Sequence, residues 1–247
     1  MKQILQWLVF GGSILCFQVA TAGVINIEQL SGFLYSDTLG VTSLEHTDVG
    51  YSKDDFSGVG ISVGFENNLN PENLGTFSWS FTNTTGSILE GAWFFAFLDA
   101  DIDKSENTFF NESGSVSSVL GVGASDNLAD SWEIDEPGYV FGDIYDHLLD
   151  GMLDNSNNVS SGSEDDVSLA LGFSLGDLMM GDSLTGLFEI SRLDIGGLIQ
   201  TDFYSSDSIY FNGTVDVNSV SVSEPSSLIL FLASLVLLSS AYRRADI

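Results

Sequence analysis

Apolar and polar positions alternate with a period of two along most of the chain between residue 23 and about residue 221. Six segments carry this alternation, or a short apolar run between turn residues, and each predicts a β-strand. They are 58–65, 75–81, 87–98, 167–175, 184–190 and 209–222. Helical spacing occurs at 144–153, where Leu148, Leu149 and Met152 share one side and Asp143 stands at the cap position.

Many short strands with little helix predict a mainly β fold, an antiparallel β-sandwich. A jelly-roll and an immunoglobulin-like layout fit the pattern equally well. We expect segments 75–81 and 87–98 to form a hairpin, with Trp79 and Trp93 as core partners. We expect segments 167–175 and 184–190 to form a second hairpin around residues 176–182.

The N-terminal segment has the form of a secretory signal. Lys2 supplies a positive charge, residues 4–19 are mainly apolar, and Ala20 and Ala22 stand in the small-x-small arrangement that signal peptidase accepts. The sequence therefore predicts a signal peptide at 1–22 and an extracytoplasmic domain at 23–221.

The C-terminal segment predicts a transmembrane helix at 226–242. Its apolar residues occupy every face of a helix, which excludes an amphipathic surface helix. The run 228–242 would span about 22 Å, short of the roughly 30 Å hydrocarbon core. Arg243 and Arg244 follow it and should remain cytoplasmic, which places the preceding domain outside the cytoplasm.

Composition limits the classes of partner and the class of fold. The chain has 35 acidic and 6 basic residues, a net charge of −29, so it repels nucleic acid and anionic lipid. Hydrophobic residues are 44% and aromatic residues 12%, which excludes an acidic disordered chain. The one cysteine, Cys16, lies in the signal segment, so the predicted domain contains no disulfide.

The end of the chain, 222–247, resembles the PEP-CTERM sorting signal. That family has a Pro-Glu-Pro box, a transmembrane segment and an arginine-rich end. Here the box reads Ser223, Glu224, Pro225, Ser226, Ser227, with serine in place of the first proline. The resemblance implies an inner-membrane intermediate, cleavage near the box by an exosortase, and release to the cell surface or extracellular matrix. A plain, uncleaved single-pass anchor is the alternative.

The resemblance further implies a structural or adhesive protein of an exopolysaccharide or biofilm matrix. The alternative is a secreted carbohydrate-active enzyme or carbohydrate-binding module. The chain has no phosphate-loop or His-Glu-x-x-His motif. We interpret His46 and His147 as isolated surface residues, so the sequence predicts no enzyme.

The sharpest candidate for chemistry is a set of alternating carboxylates: Asp99, Asp101 and Asp103. Hard oxygen donors converging on one spot are the ligands of Ca²⁺. The match to an EF-hand loop is incomplete, because Lys104 and Phe110 stand where its glycine and glutamate belong, and Glu106 or Glu112 would have to substitute. The alternative is a solvated acidic loop after a buried strand. Residues 163–166 form a weaker acidic cluster.

Overall fold

The structure, a computed structural model, describes residues 24–46, 52–54, 59–102, 110–117 and 129–220. Over these ranges the chain is mainly β, as the sequence predicts. The elements are β1 Ile25–Ser36, β2 Gly40–His46, β3 Ser52–Asp54, β4 Ile61–Leu69, β5 Gly75–Asn83, β6 Leu89–Ile102, β7 Glu112–Val116, β8 Ser131–Asp135, α1 Ile144–Asp150, β9 Ser168–Leu178, β10 Ser183–Ser191, β11 Leu198–Asp202 and β12 Ser208–Asn218.

The strands form two antiparallel sheets of six strands each. The first sheet has the order β3-β2-β1-β6-β9-β8, and the second has the order β4-β5-β10-β12-β11-β7. Buried residues of both sheets share one hydrophobic cluster, an arrangement consistent with a β-sandwich.

All six strands predicted from the alternating pattern are present, but both predicted hairpins are wrong. β5 pairs with β4 and β10, whereas β6 pairs with β1 and β9 in the other sheet. β9 likewise lies in the first sheet and β10 in the second. The connections between β5 and β6 and between β9 and β10 therefore carry the chain from one sheet to the other. In each pair, both strands bury side chains in the same core.

Asn83 ties these two crossings together at one end of the fold. Its side chain is 3% exposed. The Nδ2 atom donates to the carbonyl oxygens of Ser87 at 2.9 Å, Leu178 at 2.9 Å and Met179 at 3.1 Å. One buried amide therefore donates to backbone carbonyl groups of both connections and holds the two crossings side by side.

Aromatic rings fill the space between the sheets. Phe188 lies at the centre, with its ring centroid 5.4–6.0 Å from those of five neighbours. These neighbours are Phe77, Trp79, Phe94, Phe173 and Phe211. Gly213 is opposite Phe188 in β12 and leaves room for the ring, since a Cβ there would lie 2.2 Å from it.

The predicted pairing of Trp79 with Trp93 is also wrong. Trp79 is fully buried between the sheets, but Trp93 stacks on Phe95, with ring centroids 5.8 Å apart, on the other face of β6. Successive side chains of a strand point to opposite faces, so Trp93 belongs with Phe95 and Phe97. Helix α1 covers this second cluster with Ile144 and Leu148.

Helix α1 lies within the predicted segment but ends earlier, at Asp150. Asp143 precedes it, as expected, but makes no side-chain capping hydrogen bond. The helix stands over the outer face of the first sheet, and this placement brings its polar side chains next to β8.

Candidate functional site

The outer face of β6 changes from apolar to acidic towards the end of the strand. Phe95 and Phe97 pack beneath helix α1, and Asp99 and Asp101 continue on the same face by alternation. Asp99 is in register with Gln29 of β1 and with Ser168 of β9, which is in turn opposite Asp135 of β8. One row of polar side chains therefore crosses four strands at this end of the sheet.

The interpretation of Asp99 and Asp101 as residues of a loop is wrong. β6 extends to Ile102, because it stays paired with β1 as far as Ile25. The third predicted ligand, Asp103, lies outside the described residues. Binding of Ca²⁺ by this trio stays a prediction.

Burial raises the pKa of Asp99 to about 8, and the charges of Asp166, Asp101 and Glu28 add to the shift. Burial also raises the pKa of Asp166 to about 6, with Asp101 as the largest electrostatic contributor. Residues from β1, β6 and the segment before β9 thus converge at one corner. We call the group Glu28, Asp99, Asp101 and Asp166 the acidic rim.

Glu112, considered above as a substitute ligand, lies inside the protein. It is 1% exposed, and its two carboxyl oxygens accept hydrogen bonds from the Ile102 amide at 3.3 Å and from Gln200 Nε2 at 2.6 Å. The same Nε2 donates to the Ala100 carbonyl oxygen. Burial raises the pKa of Glu112 to about 8. Glu112 and Gln200 therefore link the two sheets, since β6 belongs to one, and β7 and β11 to the other.

His147 is not an isolated surface residue. Its Nδ1 atom lies 2.9 and 3.0 Å from the two carboxyl oxygens of Glu133, whose side chain is fully buried on β8. Burial raises the pKa of Glu133 to about 7, although the hydrogen bond and charge of His147 oppose the shift. Partial burial disfavours the imidazolium form, but the hydrogen bond to Glu133 and the charges of Glu133, Asp143 and Asp154 together outweigh it and raise the pKa of His147.

Two groups of possible metal-ligating atoms meet at Glu133, and within each the atoms lie within 4.8 Å of one another. One consists of Glu133, His147 and Asp154, and the other of Glu133, Asp135 and Asp143. Protein donors already occupy both buried carboxylates: Glu133 contacts His147, and Asp135 accepts from the Asp143 amide at 2.8 Å. The arrangement therefore fastens α1 to β8 with no need of a cation.

A cavity of about 350 Å³ opens next to the acidic rim. Its walls are Phe110, Glu136, Pro137, Phe141, Asp165 and Asp166, and we call it the rim cavity. Phe110 is 71% exposed and Phe141 is 83% exposed, unusual values for large apolar rings. The weak 163–166 cluster supplies two of its carboxylates. The sequence indicates Phe141 through the run Tyr139, Val140, Phe141, which lies in a turn-rich segment. Period-two alternation does not identify this run, because it forms no strand.

The residues of the predicted export and sorting signals lie outside the described residues. They are Ala20, Ala22, Ser223, Glu224, Pro225, Ser226, Ser227, Arg243 and Arg244. In the part of the chain that the structure describes, no helix is both long and apolar enough to cross a membrane.

Comparison with known proteins assigns this chain to no group. A scan against protein-family models finds no match, and a search of curated protein sequences finds no significant similarity. The function proposed below therefore depends on the residues, on the resemblance of the tail to a sorting signal and on the geometry of the described fold.

Proposed function

We propose that this chain is an exported protein of the cell surface or extracellular matrix, with a structural or adhesive role and no catalytic activity. Its domain would be a β-sandwich of jelly-roll or immunoglobulin-like layout. Signal peptidase would remove residues 1–22, the C-terminal helix would hold the domain at the inner membrane, and an exosortase would then cut near Glu224 and Pro225. Exopolysaccharide is the proposed matrix partner.

The observation that best supports this role is the contrast between a filled interior and a chemically distinctive rim. Aromatic rings occupy the space between the sheets, so ligands would contact the edge of the domain rather than its centre. An acidic edge with exposed aromatic rings is suited to binding and adhesion.

A carbohydrate-active enzyme is the alternative, and the carboxylates clustered around Glu133 fit it less well. A glycosidase holds two carboxyl groups about 5–10 Å apart across an open cleft. The oxygens of Glu133, Asp135 and Asp143 lie within 4.8 Å of one another, and Glu133 is fully buried beneath α1. A non-catalytic carbohydrate-binding module remains the second candidate, because the rim cavity combines aromatic rings with carboxylates.

We further propose that Asp99, Asp101 and Asp103 bind Ca²⁺ at the end of β6. The support is electrostatic. Asp101, Asp166 and Glu28 all raise the pKa of Asp99, so several carboxylates repel one another at one corner. A divalent cation there would relieve this repulsion.

Intact-mass measurement of the protein recovered from cells tests the export and sorting proposal. Loss of residues 1–22 is expected in every strain, and loss of the tail after the box is expected only where an exosortase is present. A Glu224→Ala, Pro225→Ala double variant should lose the signal peptide and keep the tail, whereas Glu72→Gln, far from either end in sequence, should be processed like the parent. Recovery of the full 247-residue chain from the cytosol would overturn the proposal.

A further inference from the structure

The rim cavity has two apolar walls that the fold leaves uncovered. The rings of Phe110 and Phe141 are 71% and 83% exposed, although burying apolar surface is worth roughly 25 cal/mol per Å². A contiguous exposed apolar surface next to polar groups marks an interaction site more often than an accident of folding.

Both rings stand on anchored backbone. Next to Phe110, the side chain of Asn111 donates to Asp202, and its carbonyl oxygen accepts from the Phe203 amide at 2.6 Å. Next to Phe141, Gly142 packs so closely on the Glu136 carbonyl that an added Cβ would lie 2.2 Å from that oxygen. The two walls are therefore positioned before any ligand arrives, which lowers the entropic cost of binding.

Apart from Pro137, the remaining walls are acidic. Glu136, Asp165 and Asp166 line the cavity, and no basic residue is among the described residues that form it. Asp165 is held in place, because its backbone exchanges hydrogen bonds of 3.0 and 3.1 Å with that of Glu112. Burial and the charge of Asp165 raise the pKa of Glu136, so these carboxylates repel one another.

This combination selects one class of ligand. An anion is repelled, a neutral apolar molecule leaves the negative charge of the carboxylates uncompensated, and a bare metal ion leaves the two rings in water. An organic cation satisfies both kinds of wall, because an ammonium group pairs with carboxylates and is attracted to aromatic faces.

We propose that the rim cavity binds an organic ammonium ion carried on a carbon framework, as in an amino sugar or a polyamine. The ammonium group lies among Glu136, Asp165 and Asp166, and the framework covers Phe110 and Phe141. A volume of about 350 Å³ falls in the range of small-molecule sites, roughly 300–1,000 Å³. This inference rests on the proposed binding role of the domain edge and names the chemistry of its ligand.

Titration of the purified full chain with three probes tests the inference. A glucosamine tetramer and spermidine carry ammonium groups, and an N-acetylglucosamine tetramer is the neutral comparison. Phe141→Ala and Asp166→Asn remove one ring and one carboxylate of the cavity. The matched controls are Leu193→Ala, which removes another exposed apolar side chain, and Glu72→Gln, which removes an exposed carboxylate in the turn between β4 and β5.

We expect saturable one-to-one binding of at least one ammonium probe, weakened about threefold to tenfold by each cavity variant and unchanged in both controls. Tighter binding of the glucosamine tetramer would identify the ligand as an amino sugar, and tighter binding of spermidine would identify it as a polyamine. Equal binding of the neutral tetramer, equal weakening in the controls, or no saturable binding at millimolar concentration would each overturn the inference. None of these results bears on sorting, which is measured by mass.

Discussion

The two faces of β6 are built for opposite purposes. The inner face presents Phe94 and other apolar side chains to the rings between the sheets. The outer face begins with Phe95 and Phe97 beneath α1 and ends in Asp99 and Asp101 at the acidic rim. A single strand thus joins the most apolar part of the described fold to its most strongly charged corner.

The difference shows how stability and function are divided. The interior gains stability from aromatic burial, whereas ionisation of rim carboxylates of raised pKa, such as Asp99 and Asp166, lowers the stability of the fold. Groups with strongly perturbed pKa values cluster at functional sites more often than elsewhere. The carboxylates of the rim therefore lower the stability of this fold when they are ionised, and a cationic ligand would offset that loss.

The largest effect should come from the interior. Phe188→Ala removes the ring at the centre of the core, with five aromatic neighbours, and should lower the free energy of unfolding by about 3–5 kcal/mol. Leu187→Ala is the matched control, because Leu187 is next in the chain, points to the other face and is 52% exposed. Urea denaturation of both variants checks this, and equal losses would contradict the interior as the source of stability.

The sequence predicts this interior better than it predicts the rim. Period-two alternation locates β5 and β10 because each buries one face, and it marks Trp79 as a core residue. It does not reveal that Trp93 faces away, because β6 is apolar on both faces and its alternation is hidden. It also misses β1, β2, β3, β7, β8 and β11, whose patterns are short or mixed.

Strand partners and the rim depend on contacts that are remote in sequence. Asn83 joins residues 95 positions away, and Glu112 meets Gln200 across 88 positions. In the sequence, His147 is an ordinary helix residue. Only the placement of α1 over β8 brings it against Glu133, which is 14 positions away in the chain. No local pattern carries this information, because register and packing are set by the whole core.

The buried carboxyl of Glu112 should make stability depend on pH. Its pKa rises from 4.5 in the unfolded chain to about 8 in the folded protein, so the folded state binds more protons between these values. The free energy of unfolding therefore falls as pH rises from 4.5 to 8. Glu112→Gln keeps an acceptor for the Ile102 amide and should remove this loss, on the order of 4 kcal/mol at the alkaline end.

Denaturation curves across this pH range check the prediction. The Glu112→Gln variant should match the parent near pH 4.5, exceed it near pH 8 and retain a weaker slope caused by Asp99 and Asp166. Glu72→Gln is the control at an exposed position and should follow the parent throughout. If the free energy of unfolding of Glu112→Gln changed with pH in parallel with that of the parent, ionisation of Glu112 would not destabilise the fold and the prediction would be wrong.

Removing His147 should have a smaller effect, because its side chain is 23% exposed. His147→Ala leaves the buried Glu133 carboxylate without its main partner and should cost about 1–3 kcal/mol near neutral pH. Changing both residues in Glu133→Gln, His147→Ala should recover part of the loss, since no buried charge remains. Urea denaturation of the two single variants and the double variant measures this coupling. If the losses of the single variants add up to the loss of the double variant, the two residues are not coupled.

The smallest effect should come from calcium at the acidic rim. If Asp99, Asp101 and Asp103 bind Ca²⁺, a tenfold excess over the dissociation constant should stabilise the fold by about 1.4 kcal/mol, a rise of roughly 3–6 °C in Tm. Asp99→Asn with Asp101→Asn should abolish this rise.

The same double variant should be at least as stable as the parent without Ca²⁺, because Asp99 then no longer has to ionise in a half-buried position. Thermal melts with Ca²⁺ and with Mg²⁺ separate a specific site from general screening of an acidic surface, and an identical Ca²⁺ response in variant and parent would leave the rim without a calcium site.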